Sequence, residues 1–129
     1  MEKQNTQKAY FSFFSTYSNA VTSDPKAMVI PIDDHGFHRG DGVFEAIKWT
    51  NHKIWLLAPH LDRLQQSAQK IGIVLPMSRG DLEARINEVI AMAEVPKGLL
   101  RIFVTRGPGS FGISPYESMA PQIYIVATK

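Results

Sequence analysis

Between Asp34 and Arg63 the chain changes its pattern three times, and each change restricts the fold. His35 to Gly42 holds three glycines in eight residues, Gly36, Gly40 and Gly42. That density predicts a loop with unusual backbone angles. Val43 to Trp49 then takes up a period of two, with Phe44, Ala46 and Lys48 on one face. Thr50-Asn51-His52 reads as a turn and Lys53 to Leu57 as a returning strand, so the pair makes a hairpin. At Ala58-Pro59 the period changes again. Leu61, Leu64, Ala68 and Ile71 follow helical spacing, and Gly72 is a natural stop. A glycine-rich turn thus feeds a hairpin, and the hairpin delivers Arg63 onto a helix. That order suggests a grip on a small anionic ligand, with part of the site supplied from elsewhere.

The flanking segments complete an α+β pattern. Residues 1–9 are expected to be a mobile arm and residues 10–129 one small domain. Tyr10 to Tyr17 is aromatic-rich and strand-prone. Ser18 to Lys26 carries turn formers, including Asp24-Pro25. Ala27 to Ile32 is an apolar run read as a short strand. Ser78 opens a second helix, with Asp81 three residues on in the manner of a capping box. Leu82, Ile86, Val89, Ile90 and Ala93 form its apolar stripe, and Pro96 and Gly98 are read as its end. Leu99 to Thr105 predicts a buried strand, Arg106 to Pro115 a loop, and Gln122 to Thr128 a final strand. The sum is an antiparallel β-sheet with two main helices.

Composition narrows the function classes. At 129 residues the chain can bury a real core. Its net charge of +2 gives no general attraction to nucleic acid or membrane, and neither is expected as a partner. With no cysteine there are no disulfides and no thiolate metal sites, which fits a cytoplasmic protein. His35 and His38 lie three apart in a Gly-rich stretch without a third ligand at sensible spacing, so no metal site is expected. The loop Gly36 to Gly42 could turn backbone N–H groups toward an anion, or could simply lead into the hairpin. It is not a P-loop, because no Gly-Lys-Ser/Thr follows and a strand comes next. Arg39-Gly-Asp41 and Arg79-Gly-Asp81 are read as chance tripeptides. Arg63 offers a planar fork for phosphate or carboxylate, or is a solvated arginine paired with Asp62 or another acid.

Taken together, Asp34-His-Gly-Phe-x-x-Gly-Asp-Gly-Val-Phe-Glu45, His60-Leu-x-Arg-Leu64 with Ser67-Ala68, and Val104-Thr-Arg-Gly107 resemble the small N-terminal domain of class IV aminotransferases. These are pyridoxal-phosphate enzymes of fold type IV. They include branched-chain aminotransferases, D-amino-acid aminotransferases and aminodeoxychorismate lyases. The resemblance runs from about Ala27 to the C-terminus. It implies that Arg63 binds the phosphate of pyridoxal 5'-phosphate. It implies a substrate pocket walled by Arg39, Phe44 and Lys48, while Phe111 and Ile113 are read as loop anchors or else as further walls of that pocket. Branched-chain enzymes often carry tyrosine at the position of Arg39, so arginine there suggests a different or more acidic substrate. The D-alanine enzymes place basic residues where Ser110 to Ile113 lie. The run Gly109 to Pro115 instead looks closer to the branched-chain or lyase type.

The resemblance further implies a homodimer that moves an amino group between an amino acid and a 2-oxo acid. The near alternatives are a lyase of the aminodeoxychorismate type and a stand-alone, non-catalytic anion-binding or dimerisation module. The family's Schiff-base lysine belongs to a larger C-terminal domain expected to be absent from this chain. Lys48, Lys53 and Lys129 are not its equivalents, so the chain alone is expected to be inactive, with no catalytic residue of its own.

Overall fold

The computed structural model describes residues 9–111 and 120–129. Six strands form one antiparallel sheet: β1 (Tyr10–Ser15), β2 (Ala20–Thr22), β3 (Gly42–Thr50), β4 (Lys53–Ile54), β5 (Lys97–Thr105) and β6 (Gln122–Thr128). Their spatial order is β2-β1-β6-β5-β3-β4. Three α-helices accompany them: α1 (His35–Arg39), α2 (Leu57–Lys70) and α3 (Arg79–Ala93). The architecture is the α+β arrangement expected from the sequence, with α2 and α3 as the two main helices.

The helices cover one face of the sheet; the opposite face is open along β3 and β5 but closed at β1 and β6, where Phe13, Ser15 and Tyr124 are buried. Along β3 the pattern alternates strictly from Phe44 to Trp49: Glu45, Ile47 and Trp49 are buried, while Phe44, Ala46 and Lys48 are exposed. The apolar members of the buried set meet Leu61, Leu64 and Ala68 of α2 and Leu82, Ile86, Val89, Ile90 and Ala93 of α3 in one core. Core residues of β5 and β6, among them Leu100, Ile102, Ile123 and Ile125, join the same cluster. Trp49 is fully buried and lies opposite Gly98 in register. A Cβ at Gly98 would stand 2.5 Å from the indole ring, so this glycine is the space the tryptophan occupies.

The ends of the helices follow their local chemistry. The Ser78 hydroxyl accepts from the Asp81 N–H at 3.1 Å, satisfying one of the orphan donors of α3. Gly72, with φ at +76°, follows the last turn of α2 as expected.

Several expectations are corrected. Ala27 to Ile32 is not a strand: a 3-10 turn covers Pro25–Ala27, and the apolar residues after it stay largely in solvent, with Val29 and Ile32 at 62% and 72% exposure. Pro31 has no N–H for a ladder, and the bridge nearest this segment joins Asp34 to Pro108. His35 to Gly42 is not all loop. The Asp34 carboxylate caps α1 by accepting from the Gly36 N–H, and Gly40 closes it at φ +66°. The returning strand stops at Ile54, because Leu56 turns left-handed at φ +53° and α2 begins at Leu57. Ile71 lies past the end of α2 and is partly exposed, and Ile73 is buried in its place. The segment read as turn formers contains β2, whose residues pair with Phe13 to Ser15. Gly98 does not end a helix, since α3 stops at Ala93 with Glu94 left-handed. The arm reading of residues 1–9 falls mostly on residues 1–8, which lie outside the described residues.

Candidate functional site

Arg63 reaches its position because α2 packs its leucines against the sheet. Leu61 and Leu64 point into the core, and that rotation brings His60 and Arg63 over Glu45 on the core-side face of β3. Arg63 Nε donates to both Glu45 oxygens, at 3.1 and 2.9 Å, and Nη2 donates to Oε1 at 2.7 Å. His60 Nδ1 lies 2.7 Å from the same Oε1. Glu45 is only 5% exposed, whereas the Arg63 side chain is 66% exposed. The Arg63 hydrogen bonds hold the Glu45 carboxyl below the usual carboxylate range, against the opposing effect of burial. The same contacts keep Arg63 firmly protonated. Leu56, Pro59, His60 and Arg63 line a shallow crevice of about 180 Å³. The sequence alternative of an Asp62–Arg63 pair is corrected: Asp62 binds Arg79 at 2.6 Å.

The open face of the sheet carries the other predicted residues. Phe44 and Lys48 share it with Ala46. Across the ladder Phe44 meets Phe103, with ring centroids 6.0 Å apart, while Ala46 faces Arg101 and Lys48 faces Leu99. Arg101 is a candidate that sequence reasoning missed. It is exposed, lies between the Phe44–Phe103 pair and Lys48, and forms no ion pair among the described residues. Strand alternation, Leu99-x-Arg101-x-Phe103, is the signal that could have found it. Gly36, Gly40, Gly42, Val43, Phe44 and Phe103 line a crevice of about 170 Å³ at the end of this face.

The loop next to that crevice is fixed by buried polar contacts. Asp34 is fully buried and accepts from the Thr105 hydroxyl at 2.9 Å and from the Tyr124 hydroxyl. Burial and the Asp34 carboxylate push the Tyr124 phenol well above its usual range. His35 is buried, with Nε2 2.8 Å from the Ser110 carbonyl. Arg106 donates to Asp41 at 2.6 Å and to the Ile71 carbonyl, so Asp41 of the Arg-Gly-Asp tripeptide is a structural partner.

Arg39 ends α1 and is exposed. Phe111 is exposed, and its ring lies against that of His38, with centroids 5.0 Å apart. Ile113 lies outside the described residues. The predicted residues therefore separate into two groups. Arg63 lies with Glu45 on the helix side of β3, and Phe44 and Lys48 lie on its open side. The edge of β3 beside β4 pairs at Trp49 and Thr50, and the Trp55 N–H donates to the Lys48 carbonyl at 2.9 Å. No group of acidic residues and histidines among the described residues could hold a metal ion. No helix among them is long and apolar enough to cross a membrane.

A sheet partly open on one face, with an arginine paired to Glu45 on the other side of β3, is an arrangement with known relatives. The family model for amino-transferase class IV matches residues 42–129, and the chain belongs to that family. The chain is 34% identical over 120 residues to the chloroplastic D-amino-acid transaminase of Arabidopsis thaliana, across 93% of this chain and 32% of that protein. It spans about a third of that relative's length. Its fold matches a T.th. branched-chain amino acid aminotransferase crystallised with N-(5'-phosphopyridoxyl)-L-glutamate, at a TM-score of 0.81 and 21% identity, over 93% of this chain and 40% of that one. It also matches the 4-amino-4-deoxychorismate lyase of Pseudomonas aeruginosa, at a TM-score of 0.67 and 23% identity, over 90% and 39%.

Proposed function

We propose that this domain forms one wall of a pyridoxal-phosphate site in a longer enzyme that transfers an amino group between an amino acid and a 2-oxo acid. The carrying observation is the exposed Arg63 guanidinium held by Glu45 on the helix side of β3, with an aromatic and cationic face on the other side of that strand. Arg63 fits the cofactor's phosphate, because its charge is permanent, its outer edge is exposed, and the crevice beside it is small. A ligand laid across the β3 edge can place its phosphate at Arg63 and its other end against Phe44.

When bound, pyridoxal phosphate acts as an electron sink for the amino acid, and a lysine from the rest of the protein would move the proton. This chain's own residues bind and orient. Arg63 holds the anion. Phe44 and Phe103 offer an apolar surface to the substrate side chain and exclude water. Arg101, with Lys48 beside it, supplies the cation for a substrate carboxylate, and Arg39 stands near the glycine crevice. The aromatic wall favours apolar, branched-chain-like substrates. The whole enzyme is a cytoplasmic homodimer in this reading.

A second reading has its own support: the D-amino-acid transaminase relative favours D-amino acids as donors. The experiment is a donor panel on the full-length protein, with L- and D-forms of leucine, alanine and glutamate and 2-oxoglutarate as acceptor, after borohydride trapping of the cofactor in a separate sample. Transfer from L-leucine supports the first reading, and transfer from D-alanine the second. Absence of both a trapped adduct and any transfer overturns the proposal and leaves the anion-binding module. Pyruvate release from aminodeoxychorismate without transfer would make the protein a lyase.

A further inference from the structure

We infer that Glu45 is a positioning residue, fixing the Arg63 guanidinium edge-on for a phosphate ester at a cost in net charge. The inference rests on the reading of Arg63 as the phosphate ligand. A guanidinium has five N–H donors. Glu45 takes the Nε donor and one from Nη2, which is the whole inward edge of the fork. Three donors remain: one on Nη1 and one on Nη2 point outward side by side, and the second on Nη1 turns back toward the stem. The outward two have the pair geometry a phosphate accepts in parallel. Glu45 is itself fixed, buried at the core side of β3 and contacted by His60 at Oε1. An arginine standing 66% exposed on a long flexible stem would otherwise sample many rotamers.

The arrangement carries an apparent contradiction. A carboxylate bound to Arg63 weakens its electrostatic pull on any anion. If charge alone mattered, removing Glu45 would tighten phosphate binding. If orientation matters more, removing it loosens binding. The two effects have opposite signs, so affinity decides between them.

The test uses full-length protein stripped of cofactor and titrated separately with pyridoxal 5'-phosphate and with pyridoxal, which lacks the phosphate. The variants are Glu45→Gln, Glu45→Ala and Arg63→Ala. Pyridoxal phosphate is expected to bind most tightly to wild type, less so to Glu45→Gln, and least of the Glu45 set to Glu45→Ala, with a loss of about tenfold. Glutamine keeps one acceptor for the guanidinium, which is why it stands between the two. Pyridoxal affinity is expected to stay level across all variants. Equal or tighter pyridoxal-phosphate binding by Glu45→Gln overturns the inference. So does a parallel loss of pyridoxal binding, which would mark general damage to the fold. If Arg63→Ala leaves pyridoxal-phosphate binding unchanged, the reading of Arg63 itself fails. If Arg63→Ala weakens binding while both Glu45 variants do not, only the role of Glu45 fails.

Discussion

The two faces of β3 are built on opposite principles from adjacent residues. On the core side, Glu45, Ile47 and Trp49 are buried, and the one charge among them is matched by Arg63 and His60. On the open side, Phe44 is 57% exposed, and its neighbours are Lys48, Leu99 and Arg101, all with solvent-exposed surface. The first face is finished within the chain. The second has apolar area and positive charge and suits a ligand or a further domain. Alternation assigns residues to faces, but the packing of α2 decides which face gains a satisfied polar network.

The largest expected contrast is in stability. Trp49→Ala empties the space between β3 and Gly98 and should destabilise by about 3–5 kcal/mol, whereas Phe44→Ala on the open face should change stability by less than about 1 kcal/mol. Urea denaturation of both variants checks this, and equal losses would mean that the open face is covered. Next comes Gly98→Val, which pushes a branched side chain into the Trp49 ring and should cost about 1–3 kcal/mol. A neutral result would show that the indole can move aside. Tyr124→Phe removes one donor from buried Asp34 and should cost about 1–2 kcal/mol, measured the same way.

The smallest effect is a pH dependence. The Glu45 carboxyl titrates below its unfolded value in the folded protein. Its contribution is therefore fully present above the unfolded carboxylate pKa of about 4.3 and is lost as pH falls through the lower folded value. Glu45→Gln should flatten the stability profile in that acid window and leave its slope unchanged near neutrality. An unaltered acid limb would remove Glu45 from the linkage.

Much of this was legible in the sequence because short-range rules governed it. The stripe Leu82, Ile86, Val89, Ile90 and Ala93 is buried as its spacing required, and Ser78 caps the helix. Phe44, Ala46 and Lys48 share a face because a strand alternates. What was not legible depended on distant partners. Nothing local says that Glu45 pairs with Arg63, since they are 18 residues apart on different elements. The strand expected over Ala27 to Ile32 gives way to a 3-10 turn at Pro25–Ala27, and Pro31 has no N–H to offer a ladder. The short helix α1 was hidden because its glycines suggested a loop, and its cap, Asp34, is held by Thr105 and Tyr124 from the far end of the chain.

The decisive experiment is a comparison of pyridoxal 5'-phosphate affinity between the full-length wild-type protein and Arg63→Ala. A loss of roughly tenfold or more, of the order of a charge-assisted contact to phosphate, is the predicted result. Equal affinity in the two proteins would refute the phosphate-binding role and return Arg63 to that of a surface partner for Glu45.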